Sequence, residues 1–375
     1  MREKQTGLFR FFSYPLPFRT APKKPLSEVL KQIKQAALGG MKSAGIFDLC
    51  RRSEWRRSRL LILCYHGISV DDEHEWNPGL YIKGSDFEAR LQILAEKRFP
   101  ILPLEEGLER LYQQDLPPAS VAITFDDGHY GVYEQAYPRL KKYGFPVTVY
   151  LSSFYTVYNR PIFDGFCSYL LWKAGNSTVP ACPEIGLLSP LDLSDEPQRY
   201  GAWRTIRQFA ENERLKAPEK DRILQVLAKH LGLSYDKLVA QRILHNMNPA
   251  EVSQLAKDGV SIQLHTHRHR TPMDRDLFIR EINDNRACIL EMTGVNPTHF
   301  CYPSGVHKPE FLPWLAETKV ASATTIEHGM NTSKANPLLL SRMLDHSGGS
   351  PIEFEGWLTG CSEWLPRRRA RSRTN

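Results

Sequence analysis

The stretch Val121-Ala122-Ile123-Thr124-Phe125-Asp126-Asp127-Gly128 joins an apolar run to two adjacent carboxylates and a glycine. The apolar run predicts a buried β-strand, so the two carboxylates stand at its carboxyl end. In barrel enzymes the loops that follow the strands build the active site at that end. Because neighbouring side chains point in different directions, one Asp can hold a metal while the other faces a water molecule. Taken alone, this pattern is more often a turn followed by a helix N-cap.

Short apolar runs alternate with helical patterns from about residue 60 onward. The apolar runs predict strands at 60–64, 121–125, 147–151, 260–264, 299–302 and 338–340. The helical patterns cover 86–96, 104–111, 133–143, 249–257 and 277–292, and three glycines suit their ends, Gly144, Gly259 and Gly294. Alternation of strand and helix predicts an α/β fold built on a parallel sheet, here a distorted (β/α) barrel.

The alternation breaks between residues 153 and 248. A proline-containing stretch that reads as a loop precedes a charged helical segment at 204–231, which predicts a mainly helical insertion beside the barrel. The expected organisation is an N-terminal arm and helix (1–58), a barrel (59–350) and a basic C-terminal tail (351–375). Ser27 is the expected N-cap of the N-terminal helix.

Composition places the chain among globular proteins. It has 375 residues, 41% of them hydrophobic, and a net charge of +7. The longest apolar run, 60–65, is too short to cross a bilayer, and the first residues lack the apolar region of a secretory signal. The seven cysteines are dispersed without a CxxC pair, which favours reduced thiols and a cytoplasmic location.

Positive charge is concentrated in two clusters of arginines. They are Arg51, Arg52, Arg56, Arg57 and Arg59, and then Arg367, Arg368, Arg369, Arg371 and Arg373. Such clusters can bind anionic lipid headgroups, which would place the protein at the inner face of the membrane. A solvated surface and a frayed tail are the alternative. We expect no nucleic-acid partner, because no aromatic-basic interleaving or nucleic-acid motif accompanies either cluster.

A second polar stretch, His265-Thr266-His267-Arg268-His269, directly follows the predicted strand at 260–264. Histidines at positions i and i+4 can converge on one ion, and an Asp oxygen completes three protein ligands with open positions. Two imidazoles and a carboxylate suit zinc best, although cobalt, nickel and iron accept the same donors.

These two stretches together resemble the motifs of the polysaccharide deacetylases, the NodB-homology family, which is similar to carbohydrate esterase family 4. The family's first motif reads TFDDG and its second reads H-[ST]-x-x-H. The resemblance implies the NodB type of barrel and metal-dependent removal of N-acetyl groups from a glycan. It also implies that Asp126 is the general base and that Asp127, His265 and His269 are the metal ligands.

The segment Phe300-Cys301-Tyr302-Pro303-Ser304-Gly305 resembles the family's substrate-groove wall, with one departure. The common form carries an arginine where Cys301 stands, and that arginine usually braces the base. We predict that Arg342 supplies the guanidinium from another strand exit; the alternative is a surface arginine. The resemblance makes Tyr302 and Pro303 substrate-binding, with a backbone N–H near Tyr302 assisting the oxyanion.

Cys64-Tyr65-His66-Gly67 resembles a strand end of the longer family members, which would put His66 at the rim of the site. A purely structural histidine is as consistent with this pattern. The family's late histidine has no clean match, and Leu344-Asp345-His346 fits only loosely. Two other functions therefore remain open: an amidase acting on a small amide, and a glycan-binding pseudoenzyme.

Overall fold

A curled sheet of parallel strands forms the centre of the molecule. The computed structural model describes residues 25–175 and 177–365. Its strands are β1 (Leu61–Tyr65), β2 (Gly67–Ile68), β3 (Tyr81–Ile82), β4 (Val121–Phe125), β5 (Thr148–Leu151), β6 (Thr178–Val179), β7 (Leu191–Asp192), β8 (Ser261–Leu264), β9 (His299–Cys301), β10 (Ser322–Thr324) and β11 (Met343–Leu344). Seven of them form one sheet in the order β10-β9-β8-β5-β4-β1-β11.

The last residues of the barrel connect the two edges of this sheet. Leu340 forms a parallel bridge with Thr324 of β10, and Met343 pairs in parallel with Leu63 of β1. Residues 340–344 therefore complete a ring of strands. This arrangement confirms the predicted α/β fold and its distorted barrel.

Helices cover the barrel and build the additions to it. They are α1 (Pro25–Ser43), α2 (Ile46–Arg52), α3 (Glu54–Arg57), α4 (Glu73–Trp76), α5 (Gly84–Glu96), α6 (Leu104–Gln113), α7 (Tyr137–Tyr143), α8 (Ser153–Tyr158), α9 (Phe163–Lys173), α10 (Glu196–Asn212), α11 (Ala217–His230), α12 (Tyr235–Ala240), α13 (Pro249–Lys257), α14 (Arg275–Thr293), α15 (Phe311–Glu317) and α16 (Pro351–Thr359). A π-helical turn, Val132–Ala136, precedes α7. Gly144 and Gly294 cap α7 and α14 in the left-handed conformation, at φ 64 and 72.

One predicted strand is wrong and several short strands escaped prediction, β10 of the main sheet among them. The apolar residues 338–340 do not form a strand, because the N–H of Leu339 closes a turn on the carbonyl of Asn336 and only Leu340 bridges to the sheet. The strand lies at Met343–Leu344 instead. β10 went unpredicted because Ser322-Ala323-Thr324 is short and carries little apolar character.

The alternation of side chains along the strands sorts residues into the barrel interior and the outer layer. Cys301 packs inside the barrel with residues such as Tyr150 and Ala122. Its neighbours Phe300 and Tyr302 point the other way and join the core under the outer helices. Position 301 therefore faces the interior, where the catalytic end of the barrel begins.

The segment 153–248 contains helices α8 to α12 and has a hydrophobic core of its own. Residues 163–173, which read as part of a loop, form the buried helix α9. The prediction failed because this helix is apolar on nearly every side and lacks the amphipathic period. The segment predicted as one helix at 204–231 is two helices, α10 and α11.

Both ends of the described chain are packed helices, and α1 lies against α2 and α16. α1 begins at Pro25, so Ser27 lies inside the helix and the predicted N-cap is wrong; proline suits the first helical turn. Residues 351–365 are not a tail, because α16 buries Phe354 and Leu358 in the barrel core. The predicted arm before residue 25 and the arginines after 365 lie outside the described residues. Within those residues, no helix is both long and apolar enough to cross a bilayer.

Candidate active site

The polar residues of the sequence motifs meet at the carboxyl end of the barrel. Asp126 and Asp127 follow β4, His265 follows β8, and His66 follows β1. Asp126 and Asp127 are 2% and 3% exposed, so this is a buried cluster of charges and not a solvated surface. Buried charges of this kind require partners.

Asp126 finds its partner in Arg342. The guanidinium donates from Nη1 to Oδ1 and from Nη2 to Oδ2, each over 2.7 Å, while its Nε donates to the carbonyl of Thr325 over 2.8 Å. Two parallel charge-assisted hydrogen bonds hold both position and direction of the carboxylate. Arg342 is 1% exposed, so the surface-arginine alternative is excluded. The structure thus places Arg342 against the predicted base.

This ion pair keeps Asp126 ionised. Burial alone would raise the pKa of its carboxyl, but the attraction of Arg342 outweighs burial and holds the pKa well below its usual range. The Sγ of Cys301 lies 3.1 Å from Nη2 of Arg342 and 3.4 Å from Oδ2 of Asp126. The thiol therefore borders the ion pair from the strand position where the family's common motif has its arginine.

Asp127 faces imidazoles. Its Oδ1 lies 3.1 Å from Nε2 of His265 and 3.0 Å from Nε2 of His269. Nδ1 of His265 is 2.8 Å from the carbonyl of Cys301. Donation of the Nδ1 proton to that carbonyl leaves the Nε2 lone pair pointing at the cluster, the arrangement that orients metal-binding histidines.

The three donor atoms of this cluster fit one small cation. All of them lie within 4.8 Å of one another, and their 3.0–3.1 Å contacts match the separation of donors that each sit about 2.0–2.2 Å from a shared ion. Two other groups of donors include Asp126, whose oxygens both accept from Arg342. Asp127, His265 and His269 are therefore the better candidate metal site.

His129 also contacts Asp127, and the sequence motifs did not predict this contact. Its Nε2 lies 3.3 Å from Oδ2 of Asp127, and the residue is 2% exposed. Burial raises the pKa of the Asp127 carboxyl, but the surrounding imidazoles of His269, His129 and His265 hold it well below its usual range. The only available signal was the position of His129, two residues beyond Asp127, which carries no spacing pattern of its own.

The backbone around the aspartates is in a conformation that needs support. Asp127 has φ 68 and Gly128 has φ 82. A Cβ at Gly128 would lie 2.2 Å from Cδ1 of Leu151, so the position requires glycine. The carbonyl of Asp127 accepts from Nδ2 of Asn246 over 2.8 Å, and the N–H of Met247 donates to the carbonyl of Gly128. The end of the insertion thus stabilises the turn that directs Asp127.

The predicted substrate-binding residues have different outcomes. Nε2 of His66 lies 3.8 Å from Oδ2 of Asp126, and its side chain is 16% exposed, so it borders the site as expected. The prediction for Tyr302 is wrong. Its side chain is buried, its hydroxyl donates to the carbonyl of Leu338, and its backbone N–H donates to the carbonyl of Thr324. Neither group is available to substrate or to an oxyanion. Pro303 is buried beside it.

The sequence matches known proteins in the region of these motifs. The family model described as polysaccharide deacetylase matches residues 113–164 and 220–323. The Bacillus subtilis protein YxkH, named as a polysaccharide deacetylase, is 36% identical over 95 residues, which are 25% of this chain and 32% of YxkH. A Staphylococcus aureus poly-beta-1,6-N-acetyl-D-glucosamine N-deacetylase is 37% identical over 70 residues, 19% of this chain and 24% of that protein. The matches thus span about a third or less of these relatives.

Solved structures resemble the fold over a longer part of the chain. The Streptococcus pyogenes deacetylase PplD superposes with a TM-score of 0.52 at 20% identity, covering 79% of this chain and 96% of that one. At this identity the likeness concerns the fold. Together with the sequence matches, it confirms the predicted resemblance to the polysaccharide deacetylase family.

Proposed function

We propose that this relative of the polysaccharide deacetylases is a metal-dependent hydrolase that removes N-acetyl groups from an amino-sugar glycan. One observation carries the proposal. Two adjacent buried carboxylates have opposite surroundings, since Asp126 pairs with a guanidinium while Asp127 joins two imidazoles in a set of metal donors. Hydrolysis of an amide needs both a base for water and an electrophile for the carbonyl, and this arrangement has room for the two side by side.

Asp126 is the residue that would take the proton from the attacking water. Its pairing with Arg342 keeps it ionised and aims it, so a proton acceptor is present even at mildly acidic pH. As the bond from the water oxygen to the carbonyl carbon forms and the C–N bond breaks, the proton removed from water must finally reach the amine nitrogen. The products are acetate and a free amine.

Asp127, His265 and His269 would hold the metal. A divalent cation at this place supplies Lewis-acid polarisation of the carbonyl and of water. Zinc suits the donor set best, and cobalt, nickel and iron are the other candidates. His265 would present its Nε2 to the metal, because its Nδ1 faces the carbonyl of Cys301.

We propose a polymer or oligomer of N-acetylglucosamine as the substrate. The support is the Staphylococcus aureus relative, whose name states that it acts on poly-beta-1,6-N-acetyl-D-glucosamine and whose similarity is limited to 70 residues. A lipid-linked precursor of such a polymer has the same acetamido group.

The test is acetate release from N-acetylglucosamine oligomers by the full chain, after chelation and again after stepwise return of zinc or cobalt. We expect release only with metal, and release at least about a hundredfold slower from Asp126→Asn under the same conditions. Metal-independent release would contradict the proposed chemistry. Turnover of small cyclic or linear amides with no acetate from glycans would indicate an amidase. Glycan binding without turnover in the metal-loaded protein would indicate a pseudoenzyme.

A further inference from the structure

Exposed and half-buried arginines share one surface with exposed apolar side chains at the amino-terminal end of the barrel. We call this the basal surface and define it by Arg51, Arg52, Arg57 and Arg59 with Leu49, Trp55 and Trp364. Leu49 and Trp364 are 70% and 65% exposed, which is unusual for large apolar side chains. The surface is built by α2, α3 and the turn Cys361–Trp364.

Contacts between these elements make the surface continuous. The Arg59 guanidinium lies 4.3 Å from the centre of the Trp55 ring, and Trp55 packs closely on Gly360. Cys361, next in the chain, packs with Cys50 of α2. Trp364 follows three residues later. Trp55 thus lies between an arginine of this surface and the turn that carries Trp364.

The arginines of the basal surface have acidic neighbours that only partly offset their charge. Asp48 acts on Arg51 and Glu363 acts on Arg59, and each carboxylate favours the charged form of the guanidinium near it. Both guanidinium groups also donate to backbone carbonyls. Asp48, Glu54 and Glu363 are the nearby acids, so the charge is mixed but positive in excess.

Three of these arginines line one hollow. Arg51, Arg52 and Arg57 lie there together with Asp48 and residues 118–119. Several arginines at one hollow suit a phosphate, because a guanidinium presents paired N–H donors to its oxygens. Beyond Leu365 the chain continues into Arg367, Arg368, Arg369, Arg371 and Arg373.

A buried arginine anchors this surface to the barrel. Arg56 is fully buried, and its guanidinium donates to the carbonyls of Leu358, Arg59 and Ala119. Ala119 lies just before the amino end of β4, whereas Asp126 follows its carboxyl end. The five residues of β4 separate the two by about 17 Å. The basal surface and the active site therefore lie at opposite ends of the barrel.

We propose that the basal surface binds the surface of an anionic phospholipid bilayer, with lipid phosphates at the arginines and with Leu49 and Trp364 entering the headgroup layer. Tryptophan favours this layer, and basic residues gain affinity from anionic lipid. Nucleic acid fits less well, because Leu49 and Trp364 offer nothing to a phosphate backbone. Bound in this way, the protein would carry its active site on the side that faces away from the bilayer.

The experiment is co-sedimentation of the full chain with vesicles of phosphatidylglycerol and phosphatidylcholine, or of phosphatidylcholine alone. The test variant is Arg51→Gln/Arg52→Gln/Arg57→Gln. The control, Arg222→Gln/Lys229→Gln/Lys237→Gln, removes the same charge from exposed positions of the insertion. We expect binding to anionic vesicles only, and a loss of about a hundredfold in the test variant, at about fivefold for each charge. The control should bind within about threefold of the unchanged chain, because salt screens charges that lie far from the vesicle surface.

A second variant separates lipid insertion from simple attraction between charges. Leu49→Ser/Trp364→Ser leaves every charge in place, and both side chains are exposed, so folding is preserved. It should bind anionic vesicles more weakly, and its acetate release from soluble oligomers should be unchanged. Equal loss of binding in the charge control, equal binding to phosphatidylcholine, or tighter binding to duplex DNA than to vesicles would overturn the proposal. None of these outcomes depends on deacetylase activity.

Discussion

Asp126 and Asp127 are neighbours in the chain and equally buried, yet their surroundings differ in nearly every respect. The carboxylate of Asp126 has a permanent cation supplied by the protein, in two 2.7 Å hydrogen bonds from Arg342. Around Asp127 the described residues place no guanidinium but three imidazoles, those of His129, His265 and His269, within 3.3 Å. A guanidinium cannot be displaced by a metal, whereas neutral imidazoles are ligands for one.

The difference shows how one dipeptide can be divided between two tasks. A carboxylate whose oxygens both accept from an arginine is poorly suited to bind a metal, but it keeps its charge and can accept a proton. A carboxylate among imidazoles is suited to bind a metal together with them, and it is less suited to accept a proton. Each of the following variants changes one of the two aspartates or its surroundings and leaves the other aspartate unchanged.

Loss of Asp127 should have the largest effect. We expect Asp127→Ala to lose most of its bound metal and essentially all turnover, because one of three protein ligands is removed; His265→Ala should behave alike. Elemental analysis of purified protein measures the metal, and Asp258→Ala, at a partly exposed carboxylate outside the site, is the control. A folded Asp127→Ala protein with full metal content would contradict the ligand assignment.

Asp126→Asn should separate the two tasks. The amide retains the shape of the carboxylate but cannot accept a proton from water, so turnover should fall by about a hundredfold to ten-thousandfold. Metal content should remain that of the unchanged protein, which elemental analysis and acetate release measure on one sample. Wild-type rates in this variant would place the base elsewhere.

Arg342→Met should change the pH dependence as well as the rate. Without the guanidinium, burial dominates and the pKa of Asp126 rises, so protonation removes the base at a higher pH than before. The acidic limb of the pH–rate profile should therefore move to higher pH, with metal content unchanged. Stability should fall by about 3–5 kcal/mol, because a buried carboxylate loses its partner. A slower enzyme with an unmoved acidic limb would assign Arg342 to substrate binding.

His129→Phe should have the smallest effect on turnover, and its main effect should be on the affinity for the metal. His129 contacts the Asp127 oxygen that does not face His265 and His269, so its loss should weaken metal binding by about tenfold to a hundredfold. Titration with a competing chelator measures this, and excess metal should restore turnover. His299→Phe, at a buried histidine in β9, is the matched control. Equal weakening in both variants would indicate general destabilisation.

The sequence predicted the parts of the site that have a pattern. TFDDG and HxxxH each follow an apolar strand, and parallel strands bring their carboxyl ends together, so the meeting of Asp127 with His265 and His269 was predictable. Arg342 was predictable because Cys301 stands where the common motif has an arginine. Asp126 therefore needed a guanidinium from another position in the chain. The strand proposed to carry Arg342 was wrong, yet its place near the end of the barrel was correct.

The failures of prediction have a common physical origin. A contact between segments that are distant in the chain leaves no periodic pattern in the sequence around either residue. His129 is a single histidine, and only the folded turn brings it to Asp127. Tyr302 was predicted to line the groove, but strand alternation turns position 302 away from the interior that position 301 occupies. α9 was missed because a helix buried on all sides has no polar face to reveal its period.

The position of Arg342 has a consequence for the order in which the molecule can assemble. It lies 216 residues from Asp126 and belongs to the segment that joins the two edges of the sheet. Until that segment docks, Asp126 must stay hydrated or take up a proton, because an unpaired carboxylate is costly to bury. Closure of the ring and completion of the pair between Asp126 and Arg342 therefore depend on the docking of one segment. A chain that ends before Arg342 would lack the cation that holds the Asp126 carboxylate.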